Sequence, residues 1–263
     1  MTTEAASRRT PGTPCWVSLM VHDLPATQDF YSALFGWEFR PGPQQLGPYV
    51  RALSAGREVA GMGTLPPERQ LSIAWTPYLA SDDADTVTER IRACGGTVGV
   101  GPLDADHAGR MALASDPQGA VFGIWQGHTM KGTAVVGEPG TLAWNELVTP
   151  EAAPAGRFYE HVFGFETEAA GRPGDDDLTL CLKGRPVASI HGAGDALPRE
   201  RGPHWTTYFA VSDADAAARR VAELGGRVIG APRDSPHGRL ATVADPEGAE
   251  FMVVQRPTTR AGC

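Results

Sequence analysis

The run Trp16-Val17-Ser18-Leu19-Met20-Val21 is apolar, and its length and composition read as a strand. The spacing then turns helical: Asp23-Leu24-Pro25 has the chemistry of a cap, and Phe30, Tyr31, Leu34 and Phe35 recur on one face until Gly36 stops the pattern. Two or three short strands follow, including Tyr49 to Leu53 and Glu58 to Met62, separated by Gly56. The order then restarts. Ser72 to Ala80 reads as a strand and Asp83 to Ala93 as a helix closed by Gly95-Gly96. Thr97 to Val100, Arg110 to Ala114 and Val121 to Trp125 read as strands, the last two joined as a hairpin by Asp116-Pro117-Gln118-Gly119. The unit is β-α-β-β-β, and it occurs twice in the first half of the chain.

Self-comparison shows that this half is itself repeated. Phe30-Tyr31 with Phe35-Gly36-Trp37 returns as Phe158-Tyr159 with Phe163-Gly164-Phe165, and Trp16 returns as Trp144. Trp75-Thr76-Pro77-Tyr78 returns as Trp205-Thr206-Thr207-Tyr208, and Cys94-Gly95-Gly96 as Leu224-Gly225-Gly226. Gly109-Arg110 with Asp116-Pro117-Gln118-Gly119 matches Gly238-Arg239 with Asp245-Pro246-Glu247-Gly248. Residues 14–126 and 142–255 therefore read as two copies of one domain, joined by a Gly-rich, polar linker at 127–141. The expected fold is α+β, with four βαβββ modules. Such a repeat, on a linker of about fifteen residues that holds the halves at high effective concentration, predicts a pseudo-dimer within a monomeric chain.

Composition narrows the function classes. The 263 residues are 41% hydrophobic and 21% charged, as in an ordinary globular protein. A formal charge of -8 without a Lys/Arg stripe argues against nucleic acid as partner, and no apolar run approaches a membrane span. The first thirteen residues hold no apolar stretch of the secretory kind, so a cytoplasmic location is expected. Cys15, Cys94, Cys181 and Cys263 are scattered, which suits reduced thiols better than disulfides or structural zinc.

The element order, the Phe-Tyr-x-x-x-Phe-Gly-Trp/Phe helix end and the Asp-Pro-x-Gly hairpin resemble the vicinal oxygen chelate superfamily of glyoxalase I, extradiol dioxygenases and fosfomycin- and bleomycin-resistance proteins. The two-domain layout looks like the actinobacterial two-domain glyoxalase-like proteins. The resemblance implies curved sheets around a cleft that holds a metal in the enzymes and an organic ligand in the binding proteins. It also implies where metal ligands would stand: Trp16, Thr76 and Gly123 in the first copy, Trp144, Thr206 and Met252 in the second. None is an imidazole, carboxylate or thiolate, so neither a metal nor another cofactor is expected.

Strand alternation suggests what faces each cleft. Trp16 shares a face with Ser18 and Met20, Thr76 with Tyr78, and Gly123 with Val121 and Trp125, an aromatic and mostly uncharged set. In the second copy Trp144 goes with Glu146, Thr206 with His204 and Tyr208, and Met252 with Glu250 and Val254, a more polar set. Candidate ligand-binding residues are thus Trp16, Ser18, Thr76, Tyr78, Trp125, Trp144, Glu146, Thr206, Tyr208 and Met252. Glu146, His204 and Glu250 could form a displaced metal or acid–base group, although the latter two, near strand ends, read more simply as solvated. Glu146 lies mid-strand among apolar neighbours, where a carboxylate needs a partner or a raised pKa.

Other features weigh less. Gly95-Gly96 and Gly225-Gly226 follow helices and read as C-caps; Arg110 and Arg239 read as solvated edge-strand residues before a carboxylate clamp; His22, His107, His128, His161 and His237 read as surface residues. His191, at a strand end, is the exception. The aromatics Phe30, Tyr31, Phe35, Phe158, Tyr159 and Phe163 read as core. Two functions compete: a metal-free binding protein for an aromatic or apolar small molecule, or a metal-independent lyase, isomerase or hydrolase of a small carbonyl metabolite or natural product. In the latter Glu146 would be the general base, with Tyr208 or His204 as acid. A protein-interaction module with a vestigial cleft is a third class.

Overall fold

The computed structural model describes residues 9–45, 47–65 and 73–256. Its first half runs β1 (Pro14–Val21), α1 (Leu24–Phe35), β2 (Glu38–Pro41), β3 (Tyr49–Ser54), β4 (Arg57–Thr64), β5 (Trp75–Ala80), α2 (Ala84–Ala93), β6 (Thr97–Ala105), β7 (Gly109–Ser115) and β8 (Val121–Gly127). The second runs β9 (Leu142–Thr149), α3 (Ala152–Phe163), β10 (Glu166–Ala170), β11 (Asp177–Leu182), β12 (Arg185–Gly192), β13 (His204–Ala210), α4 (Ala214–Glu223), β14 (Arg227–Ser235), β15 (Gly238–Ala244) and β16 (Glu250–Gln255). Each half forms an eight-stranded curved sheet, β2-β3-β4-β1-β5-β8-β7-β6 and β10-β11-β12-β9-β13-β16-β15-β14. The expected α+β fold with four βαβββ modules is the one found. Modules join where their first strands meet antiparallel, β1 on β5 and β9 on β13.

Local chemistry explains the helix ends. Asp23, Asp83 and Asp213 accept from the backbone N–H of Ala26, Thr86 and Ala216, supplying N-caps for α1, α2 and α4. Glu151 precedes α3 without a side-chain cap; Asp176, from the loop before β11, accepts from the Ala152 N–H at 2.8 Å instead. Gly36 and Gly164 end α1 and α3 in the left-handed region, φ 71° and 73°, where a Cβ would clash with the chain's own carbonyl. The Gly95-Gly96 and Gly225-Gly226 pairs bond back to the last turns of α2 and α4, as C-caps do.

Helices cover one face of each sheet, and those covered faces pack on each other across the domains. One buried cluster joins Ile91, Phe122 and Ile124 of the first half to Leu147, Phe158, Tyr159 and Trp205 of the second. The other joins Leu19, Tyr31, Trp37 and Trp75 to Phe209, Val221 and Phe251. Two matching polar relays cross the same junction. Trp205 Nε1 donates to the Tyr159 hydroxyl at 3.1 Å, which donates to Asp116 at 3.2 Å; Trp75 Nε1 donates to Tyr31 at 2.9 Å, which donates to Asp245 at 3.1 Å. Burial pushes both carboxyls above the ordinary aspartate value.

Several local expectations change. The strand expected from Ser72 begins at Trp75, and Ser72 lies outside the described residues. Arg110 and Arg239 are not on edge strands: β7 and β15 are second from the edge, and each arginine is held by two aspartates, Asp85 with Asp104 and Asp215 with Asp234. Side-chain carboxylates, not solvent, satisfy their forks. Phe35 is only partly buried, at the margin of its cluster. Cys15, Cys94 and Cys181 are free thiols, and burial pushes that of Cys15 up to about 12; Cys263 lies outside the described residues. Among the described residues no helix is long and apolar enough to cross a membrane.

Candidate functional site

The faces turned away from the helices carry the candidate residues, and the strand registers align them in rows. In the first domain one row is Trp16, Tyr78, Gly123 and Leu113. The next is Arg51, Gly61, Ser18 and Thr76, and the third Tyr49, Gly63 and Met20. In the second domain the same rows read Trp144, Tyr208, Met252 and Thr242, then Thr179, Ser189, Glu146 and Thr206, then Asp177, His191, Val148 and His204. The residue facing each first-strand tryptophan is thus a tyrosine, Tyr78 or Tyr208, while the threonines Thr76 and Thr206 stand opposite Ser18 and Glu146.

The first-domain face is filled by its own side chains. The Tyr49 hydroxyl accepts from Trp16 Nε1 at 2.9 Å and bonds Ser18 Oγ at 3.0 Å, so its ring lies across Gly61 and Gly63. A Cβ on Gly61 would overlap that phenol, and a Cβ on Gly123 would overlap the ring of Tyr78. Trp16 is only 2% exposed, and it clusters with Tyr78, Trp125 and Met130. Trp125 Nε1 donates to the Met130 carbonyl at 2.8 Å, which fixes its indole in this packing. Burial raises the pKa of both Tyr49 and Tyr78. Sequence reasoning did not single out Tyr49, Gly61 or Gly63; the pairing of a tyrosine with two glycines across a hairpin was the available signal.

The second-domain face has the opposite character. Asp177, Ser189 and Met252 replace Tyr49, Gly61 and Gly123, so the phenol that covers the first-domain indole has no counterpart here. Trp144 is left half-buried, its Nε1 donating to Ser189 Oγ at 2.9 Å. Glu146 finds the partners its position requires: Tyr208 donates to Oε2 at 2.7 Å and Ser189 to Oε1 at 3.3 Å. Burial and the adjacent Glu146 carboxylate raise the Tyr208 pKa, so the phenol keeps its proton. Met252 is buried, with Thr242 donating to its sulfur at 3.1 Å, and Thr206 is buried between the rows.

His204 and Glu250 are not simply solvated. His204 is half-buried with Nδ1 2.7 Å from the Gly202 carbonyl, and burial lowers its pKa; Glu250 pairs with Arg201. Glu146, His204 and Glu250 make no direct contact, since Glu146 spends its oxygens on Tyr208 and Ser189 and Glu250 on Arg201. His191, next to Asp177 in the third row, has Nδ1 2.6 Å from Asp177 Oδ1. Two cavities lie elsewhere: one of about 350 Å³ at the domain junction beside Leu34, Gly140 and Ala217, and one of about 60 Å³ beside Trp125 and Lys131. Arg9, Asp82, His128 and Lys131 line the smaller one and Asp213 and Arg220 the larger, and both lie away from the Trp144 face.

Residues 16–125 and 145–254 each match the glyoxalase-like domain family. The chain belongs to this family. It is 38% identical over 272 residues to the anthracycline biosynthesis protein DauV of Streptomyces sp. (strain C5), covering 95% of each chain. It is also 38% identical over 259 residues to the protein CFP32 of Mycobacterium tuberculosis (strain CDC 1551 / Oshkosh), covering 93% of this chain and 95% of the other. The fold is shared with the 2,3-dioxygenase LapB from Pseudomonas sp. KL28, with a TM-score of 0.65 at 15% identity over 97% of both chains. It is shared too with the Mn(II)-bound glyoxalase from Novosphingobium aromaticivorans, with a TM-score of 0.63 at 15% identity over 94% of this chain and 82% of that one.

The Novosphingobium glyoxalase of this fold is Mn(II)-bound, and the donor sets of this chain bear on whether it could hold such an ion. The positions implied for ligands hold two indoles, two threonine hydroxyls, a glycine and a thioether, and the thioether is already bonded by Thr242. Glu146, the carboxylate nearest them, has both oxygens engaged by hydroxyl donors. Among the described residues no three His, Cys, Asp or Glu side chains are grouped to hold a metal ion. The residues of this glyoxalase-like chain do not fit the usual metal site.

Proposed function

We propose that this glyoxalase-like protein works without a metal and binds an aromatic, fused-ring small molecule on the concave face of its second domain. The observation that carries the reading is the contrast between two copies of one surface. Trp16 is sealed beneath Tyr49, whereas its counterpart Trp144 is only partly buried beside a carboxylate held by Tyr208 and Ser189. An open indole offers a stacking wall, and the Glu146, Tyr208 and Ser189 group offers polar partners that fix a ligand's orientation. The similarity to proteins named for anthracycline biosynthesis supports a polycyclic aromatic ligand of that type. Trp16, Ser18, Tyr78 and Trp125, together with the buried Thr206 and Met252, then serve packing, and Trp144, Glu146 and Tyr208 the ligand.

Titration with an anthracyclinone should quench tryptophan emission, and Trp144→Ala should weaken binding by about 1–3 kcal/mol, the scale of a lost aromatic stack and its buried area. Trp16→Ala should lower stability without changing affinity in the variant that stays folded. Equal loss of affinity from both substitutions would contradict the assignment to one face.

The short bond from Tyr208 to Glu146 favours a second reading, a metal-independent isomerase, lyase or hydrolase with Glu146 as general base. Glu146→Gln separates the two: a binding site retains or gains affinity on losing a partly desolvated charge, and an enzyme keeps binding while losing turnover.

A further inference from the structure

The third row of the second-domain face holds an acid–base pair that the binding reading does not use. On β12, Ala188 and Ile190 are buried against the helices, which turns Ser189 and His191 to the opposite, concave side. Ser189 demonstrates that orientation through its bonds with Trp144 and Glu146. His191 is therefore two residues from Ser189 on the same face of the strand, one row away from Glu146. Its Nδ1 lies 2.6 Å from Asp177 Oδ1 on β11. A carboxylate accepts, so Nδ1 carries the hydrogen, and in the neutral ring that leaves the lone pair on Nε2. The imidazole is half-exposed, with 49% of its side chain accessible.

The first domain provides an internal control. At the positions of Asp177, His191 and Glu146 it has Tyr49, Gly63 and Ser18, none of them an acid–base group active near neutrality. The His–carboxylate set is thus confined to the second copy, while the first-domain face carries the Arg51–Glu58 ion pair instead. Glu146 has both oxygens occupied by Tyr208 and Ser189, Glu250 is paired with Arg201, and His204 has Nδ1 tied to Gly202 and is half-buried. His191 is the group that combines exposure, a carboxylate-fixed tautomer and a free ring nitrogen.

We propose that His191, positioned by Asp177, is the general base of a proton-transfer site on the second-domain face, acting on a polycyclic aromatic ketone. This rests on the reading of that face as the ligand site, and moves the base from Glu146 to His191. In the step, His191 Nε2 takes the proton from a carbon next to a ketone of the ligand. The electron pair of the broken C–H bond moves onto the carbonyl oxygen as an enolate, conjugated with the ring system. The imidazolium returns the proton to the same or the conjugate carbon, so the outcome is exchange or isomerisation, with no change of oxidation state. Asp177 compensates the imidazolium charge while it lasts.

The test uses the full-length protein in deuterated buffer with an anthracyclinone that bears a ketone flanked by C–H, followed by proton NMR. Wild type should accelerate loss of the α-proton signal; His191→Gln should reduce the acceleration at least tenfold while tryptophan quenching keeps its midpoint. Asp177→Asn should fall between the two, with Asp177→Glu restoring most of the rate. Quenching without exchange in wild type, or full exchange in His191→Gln, overturns the dyad and leaves the binding reading intact. No quenching and no exchange overturns both. Nitrogen NMR of His191 supplies a check independent of ligand: a protonated Nε2 in the neutral ring would contradict the assigned tautomer.

Discussion

Gly61 and Tyr49 show how few residues separate a closed face from an open one. The phenol reaches Trp16 and Ser18 because nothing projects from Gly61, and Ser189 at the matching position projects a hydroxyl that takes over the bond to the indole. Gly61→Ser should therefore expel the Tyr49 ring, at a cost of about 1–3 kcal/mol for overpacking and lost hydrogen bonds. Tyr49→Ala should cost a comparable amount, and the two together little more than Tyr49→Ala alone, because the second change removes the group that the first displaces. A denaturant double-mutant cycle measures this, and strict additivity would show that the serine and the phenol do not compete for one space. The sequence displays both glycines and the tyrosine. It does not display that a hairpin register lays one across the others.

The turns before β8 and β16 do more than join hairpins. Glu247, in the Asp-Pro-Glu-Gly turn of the second domain, accepts at 2.8 Å from the backbone N–H groups of both His22 and Asp23, at the entry to α1 of the first. Gln118, its counterpart, accepts from Thr149 and donates to the Glu151 carbonyl at 3.3 Å, at the entry to α3. Each turn thus satisfies backbone or side-chain groups that open a helix in the other domain. A carboxylate near a helix N-terminus also gains from the helix dipole. Glu247→Ala should lower stability by about 1–2 kcal/mol, judged from capping losses and charge-assisted hydrogen bonds. Thermal unfolding checks it; a loss no larger than that of an unpaired surface glutamate would show that solvent replaces the carboxylate freely. The sequence gives each turn and helix start separately, and nothing in their spacing, more than two hundred residues for Glu247 and about thirty for Gln118, connects them.

At the scale of the molecule, the two halves are separate sheets but share their cores. Tyr31 and Trp37 lie with Phe209 and Phe251, and Phe122 lies with Phe158 and Tyr159; Trp37 also donates to the Gly140 carbonyl at 2.7 Å. Cutting between the sheets would uncover the helix-covered face of each and strand Asp116 and Asp245 without their tyrosine donors. Fragments 1–130 and 135–263, expressed separately, should be insoluble or only partly folded, and should recover native circular dichroism when refolded together. Stable, non-associating monomeric fragments would overturn this account.

The sequence alone determined the βαβββ order and most of the core aromatics, which follow from periodicity, caps and turns within a dozen residues of one another, and the tandem repeat, which follows from matching the two halves. Phe30, Tyr31, Phe158 and Tyr159 announce a helix packed on a sheet wherever the partner sheet happens to be. Alternation also identified which strand residues share the face with Trp16 and Trp144. Whether that face is open was decided by tertiary structure, since it depends on Tyr49 crossing Gly61 in one copy and on Asp177 and Ser189 in the other. The partners of Glu146 and the pairing of His191 with Asp177 were decided in the same way. Burial and hydrogen bonding depend on contacts between strands far apart in the chain, and a side chain's chemistry is fixed only when its neighbours from those strands are in place.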